Sequence, residues 1–137
     1  MDIVLRNLNR KINEANRNLT LTATYGTYTP TLTNTLNLDG STANQCFYLR
    51  IGTVVHVAGT LSANPTAAGD TQLGISIPVA SAFTDALQLG GTAVSSAVAG
   101  LCAAIMSDAT NDRALMRWVA VDTSDRAFNF TFSYSVV

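Results

Sequence analysis

The stretch AFNFTFSYSVV constrains this chain more than any other. Phe128, Phe130, Phe132, Tyr134 and Val136 alternate with Asn129, Thr131, Ser133 and Ser135. A period of two places the apolar set on one face of a strand and the polar set on the other. A helix would scatter both sets around its circumference. A strand with so aromatic a face must bury it against further β-structure, so the preceding residues have to supply that cover.

They read as strands. TLTATYGTYTPTLTNT is rich in β-branched and aromatic residues and is punctuated by Gly26 and Pro30. LDGST (38–42) reads as a turn. QCFYLRIGTVVHVAGTL (45–61) reads as a hairpin turning at Gly52-Thr53, with glycine first, the type II′ pattern. ANPTAAGDT reads as a loop and QLGISIPV as a strand. Residues 80–89 read as a short helix or an irregular crossing. LGGTAVSSAVAGLCAAIMS holds one or two strands, with VAGLCAAIM (98–106) expected to be buried. DATNDR is a turn held by Asx hydrogen bonds, ALMRWVAVD a strand, and TSDR a turn. Turn signals at roughly ten-residue intervals, with no strong second helix, predict a β-sandwich or barrel with a short N-terminal α-helix.

That helix is the exception to the β texture. In VLRNLNRKINEANRNL the apolar residues Leu5, Leu8, Ile12, Ala15 and Leu19 are spaced 3, 4, 3, 4. This is a heptad seam. Asp2 can cap its start, and Arg10 and Glu14 can pair across one turn. Five asparagines lower its helix propensity, and under three heptads do not hold as an isolated helix in water. The seam therefore requires cover: its own β body, other copies, or a larger particle. Its narrowness favours self-association or anchoring, because a helix lying on a domain shows a wider stripe. The chain divides into residues 1–22, a helical anchor or oligomerisation segment, and residues 23–137, the β domain.

Charge excludes some functions. Charged residues are 12% of the 137, about half the usual share. Residues 1–19 carry +2 and the remainder −3, with a single lysine in the chain. Nucleic-acid binders show a dense basic patch, so no nucleic-acid partner is expected. No apolar run is long enough to span a membrane, and residues 1–20 lack the apolar core of a signal peptide, so synthesis in a cytoplasm is the expectation. Cys46 and Cys102 lie far apart in apolar surroundings and read as buried thiols.

No catalytic, cofactor-binding or metal-ligating residue can be assigned. His56, the sole histidine, lies within VVHVA on the face opposite Val55 and Val57 and has no clustered ligands beside it. Asp108 and Asp112 flank ATN without the alternating oxygens of a calcium loop. Trp118 shares a face with Met116 and Ala120, which reads as core rather than as a sugar-stacking platform. Tyr25, Tyr28 and Tyr48 stay open between those two roles.

Several of these stretches taken together, YGTYTPTLTNT, QCFYLRIGTVVHVAGTL, LGISIPVASAF, SDATNDRA and the aromatic last strand, resemble a β-domain of tailed-bacteriophage virion proteins, including fibre-like and head-decorating proteins. The resemblance covers about residues 25–137. It implies an antiparallel β-sandwich, jelly-roll-like, and a non-enzymatic, homotrimeric component of the virion surface, attached by an N-terminal segment and exposing a C-terminal β-knob. Its expected partners are itself and other virion proteins of capsid or tail. Host-surface glycans are the partner of an alternative role, a tail receptor-binding module.

Overall fold

The computed structural model describes the backbone of residues 2–18 and 23–137, and the side chains of 2–14 and 23–137. One helix, α1 (Asp2–Asn18), precedes ten strands: β1 (Ala23–Tyr28), β2 (Leu32–Leu36), β3 (Leu38–Ala43), β4 (Cys46–Ile51), β5 (Val54–Pro65), β6 (Gly69–Ile75), β7 (Leu89–Ser95), β8 (Cys102–Asp108), β9 (Arg113–Ala120) and β10 (Arg126–Ser135). The strands form one antiparallel sheet in the order β1-β4-β5-β10-β7-β8-β9-β6-β2, with β3 joined to β5 as a branch. The sheet curls into a half-barrel. The expectation of a mainly β chain with a short N-terminal helix is met. In place of two clearly stacked sheets there is a single continuous ladder.

The curl has a local cause at Asn37. β2 pairs with β6 and β3 pairs with β5, yet only Asn37 separates β2 from β3. Residues 32–43 are thus one bent strand that changes neighbours at a corner, the usual way a sheet turns back on itself. Asn37 occupies the left-handed region, with φ 59°, which asparagine tolerates better than most residues. Its amide holds the β5–β6 connection. Nδ2 donates to the Ala67 carbonyl and to Thr71 Oγ1, both at 2.8 Å, and Oδ1 accepts from the Ala67 N–H at 3.0 Å. The turn expected at LDGST is therefore a strand, and the direction changes one residue earlier. Asn37→Ala is expected to cost about 2 kcal/mol, because it strands these partners and worsens the backbone conformation. Asn37→Gly should recover only the backbone share, and urea denaturation of the two variants separates these contributions.

The β4–β5 hairpin forms where the sequence placed it. Gly52 has φ 59°, while Thr53 stays at negative φ, as a type II′ turn requires. β5 is the axis of the sheet. One edge pairs with β4 through its first half and with β3 through its second, and the other pairs with β10 from Val54↔Ser135 to Ala63↔Arg126. Glycine at position 59 on this strand makes room for Cys46, since a Cβ there would lie 2.2 Å from Cys46 Sγ.

Alternation then fills the interior. Phe128, Phe130, Phe132 and Tyr134 from β10 meet Val55, Val57 and Leu61 from β5, and Met116 and Trp118 from β9, all buried. The connection 76–88 is an irregular crossing over one end of the sheet. Tyr134 pins it: its hydroxyl donates to the Val79 carbonyl at 2.7 Å, and its ring meets buried Phe83 edge-on at 5.8 Å. VAGLCAAIM departs from expectation. Val98–Leu101 form a turn, with Gly100 at φ 81°, and β8 starts only at Cys102. Within β8, Ala103 and Ile105 are buried while Cys102 and Ala104 are exposed, because this strand, like β10, covers the core with one face only.

Candidate assembly surface and polar groove

α1 carries the first candidate surface. Leu5, Leu8 and Ile12 recur at spacings of three and four, which sets them on one side of the helix. In the single chain they are 54%, 52% and 48% exposed, and every described side chain of α1 is exposed. The stripe is therefore not covered by its own β body. Val4, 71% exposed, extends the same side by one position. Ala15 holds the next seam position on the helix, with its side chain outside the described residues, and Leu19 also lies outside them. Asp2 is the first helical residue rather than a flanking cap, and its charge still favours the helix N-terminus. Arg10 and Glu14 approach to 3.9 Å with both side chains well exposed, a pair worth at most about 0.5 kcal/mol. At 100° per residue, Arg6, Arg10 and Arg17 occupy register positions opposite the stripe, and only Lys11 borders it. The register of Arg6 and Arg10 thus leaves Lys11 as the only described cation beside the seam.

The second candidate is a groove at the end of the half-barrel, about 770 Å³ in volume. It opens between the start of β2, the crossing 76–82 and the β8–β9 turn. Thr31, Thr33, Ser76, Asn111, Asp112 and Arg113 supply its polar groups. The turn is braced from within. Asp108 Oδ2 accepts from Arg113 Nε and from Asn111 Nδ2, each at 2.9 Å, and Oδ1 accepts from the N–H groups of Thr110 and Asn111. The Asx-held turn expected at DATNDR is what forms. Asp112 adopts φ 51° and its Oδ1 accepts from the Phe83 N–H at 2.9 Å, which ties the turn to the crossing. Such an array of hydroxyl, amide and charged groups can exchange hydrogen bonds with a polar, hydroxyl-rich ligand.

Asp108 is a structural anchor of this groove. Burial raises its pKa, but the hydrogen bonds from Asn111 and Arg113 and the Arg113 charge outweigh burial, and the net shift is downward. A depressed carboxyl contributes stability that is present above the ordinary value of 3.8 and is lost as pH falls through the lower folded value. Asp108→Asn is expected to cost about 1–3 kcal/mol at neutral pH. It should also flatten the acid limb of the stability curve below that carboxyl value, as followed by urea midpoints across pH.

The other residues singled out from sequence are dispersed. His56 is exposed on the outer face, and its Nδ1 lies 2.7 Å from Ser133 Oγ. Its neighbours on β4 and β10 at that register are Leu49 and Ser133, so no acid completes a catalytic relay there. Trp118 is buried against Phe128, ring centroids 5.2 Å apart, as its apolar neighbours implied. Tyr28 and Tyr48 pack edge to face at 6.2 Å, and burial pushes the Tyr28 phenol well above its usual pKa. Tyr25 is 85% exposed. Cys46 is buried, and its pKa is raised by that burial. Cys102 is exposed, against expectation, because it opens β8 on the outward register.

Sequence reasoning missed two sets of residues. Phe47, Leu49 and Ile51 project outward from β4 and are 64%, 40% and 40% exposed. Their signal was present: in CFYLRI, Phe47, Leu49 and Ile51 fill one register while Cys46 and Tyr48 share the other with Arg50, so both faces carry large hydrophobes, which a strand with one wet face does not need. The groove residues come from three distant segments, and no local pattern joins them. Among the described residues no cluster of three or more His, Cys, Asp or Glu side chains could hold a metal ion. Comparison of the chain with protein-family models, curated proteins and solved structures finds no match.

Proposed function

We propose that this protein is a non-enzymatic structural component of a bacteriophage virion: a homotrimeric fibre, spike or capsid-decoration subunit. α1 mounts it on capsid or tail proteins, and the β body stands out from the particle surface as the knob. In this reading the curled sheet serves as a jelly-roll-like two-layer head. The observation that carries the proposal is the apolar stripe of Leu5, Leu8 and Ile12, exposed in the single chain on a helix too short and too asparagine-rich to persist without cover. The number three comes from the resemblance of the β body to virion domains, since the mixture of leucine, isoleucine and alanine on the seam does not select an oligomer. Light scattering on the full chain tests the proposal. A mass of three copies is expected, and a stable 14.4 kDa monomer at micromolar concentration would overturn it. Electron microscopy of particles carrying the protein then reads its position on head or tail.

A second reading is favoured by the groove. Its hydroxyl, amide and charged lining suits a host-surface glycan, which would make the body a receptor-binding module. Glycan-array binding by the full chain, lost on Asn111→Ala, would establish that role. Absence of binding leaves the structural role alone.

A further inference from the structure

We infer that the outer face of β1, β4 and the start of β5 is the part of the β body that packs against a second copy of this chain. The inference rests on the assembly reading above and names the surface it uses.

The outward positions of the central strand β10 from Asn129 to Ser135 are polar. β10 presents Asn129, Thr131, Ser133 and Ser135 on that side. The β1–β4 flank differs. Tyr25 is 85% exposed, Phe47 64%, Val54 53%, and Leu49 and Ile51 40% each. Register makes them neighbours: Tyr25 lies opposite Leu49, and Ile51 lies opposite both Ala23 and Val54. Isolated exposed apolar residues are ordinary, but a contiguous set of five on adjacent strands marks an interaction surface.

Three observations point to a copy of the same chain as the occupant. The first is the tether. Four residues separate Asn18 of α1 from Ala23 of β1, and a fully extended chain of that length reaches only about 18 Å. Any bundle of α1 helices therefore brings the β1 edges of its members together, at high effective concentration. The second is neutrality. Contacts near a symmetry axis set like against like, which penalises charge, and none of these five side chains is charged. The third is shape. A cyclic trimer needs two different surfaces that fit each other. Here a projecting Tyr25 on the edge strand accompanies a depression of about 410 Å³ further in, bounded by Phe47 and Val94 and floored by Ala58, Thr92 and Thr131.

Thiol labelling of the full chain tests this surface. Leu49→Cys is placed in a Cys102→Ser background, where the remaining thiol, Cys46, is buried. Maleimide labelling of the assembled protein is expected to be at least about tenfold slower than in the Leu8→Asp/Ile12→Asp monomer, because a packed interface excludes water and reagent. Val119→Cys, on an exposed position of β9, should label equally fast in both. A protein that assembles but labels at position 49 at the monomer rate overturns this face and leaves the α1 assembly standing; a face reserved for a glycan or another protein gives that same result. A chain that remains at 14.4 kDa overturns both readings. Circular dichroism melts of each variant establish that the body is folded before labelling.

Discussion

Replacing Leu8 and Ile12 together with Asp is expected to leave the protein monomeric and unable to attach to particles, while its β body stays folded. Each copy would bring two carboxylates into the seam. An unpaired charge in an apolar interface costs several kcal/mol, multiplied by the copies that meet there. The helix has no reserve to absorb this, being short and poor in strong helix formers. The body should still fold, because the described side chains of α1 are all exposed in the single chain and cover none of its core. Arg6→Ala, opposite the stripe, is the matched control and should assemble normally. Light scattering reads the mass, circular dichroism reads the body, and co-sedimentation with particles reads attachment. A double variant that still assembles and decorates particles would show that α1 is not the mount.

Phe128→Ala should produce the largest loss of stability within the body, about 3–5 kcal/mol, as is typical for truncating a buried phenylalanine. Phe128 is fully buried, stands opposite Leu61 on β5 and Ser95 on β7, and packs on Trp118. Its ring thus joins the central strands to β9 across the interior. The surrounding ladders are hydrogen-bonded on both sides and cannot collapse into the void. The corresponding drop in melting temperature is roughly 10 °C or more. Phe128→Leu, which keeps most of the volume, should lose much less. Urea denaturation gives the difference directly, and a loss under 1 kcal/mol would place the centre of the core elsewhere.

The elements that were legible in the sequence are those whose physics is local. The alternation from Phe128 to Tyr134 survives intact because each residue's face is set by the strand's own period. The Gly52 turn survives because its backbone angle is a property of the glycine itself. The corner at Asn37 was not legible. What holds it is a set of hydrogen bonds to residues 66–71, some thirty positions away, and nothing beside Asn37 announces them. LDGST has turn composition, but pairing with β5 draws it into a strand, an instance of tertiary context overriding local preference. The placement of Leu5, Leu8 and Ile12 on one side of α1 was legible in their spacing of three and four. The groove was not, since Thr33, Ser76 and Asn111 meet only after the sheet curls.

The pairing of β5 with β10 has a consequence for how the protein is made. The central ladder joins residues 54–63 to residues 126–135, so it closes a loop, residues 64–125, of nearly half the chain. Such non-local pairing is slow to form, and no lasting core exists before the final strand has been synthesised. The leading helix, by contrast, is free of the ribosome long before that moment. On the assembly proposed above, nascent chains on neighbouring ribosomes would meet through α1 while their bodies are still unfolded, and each body would then fold beside its partners.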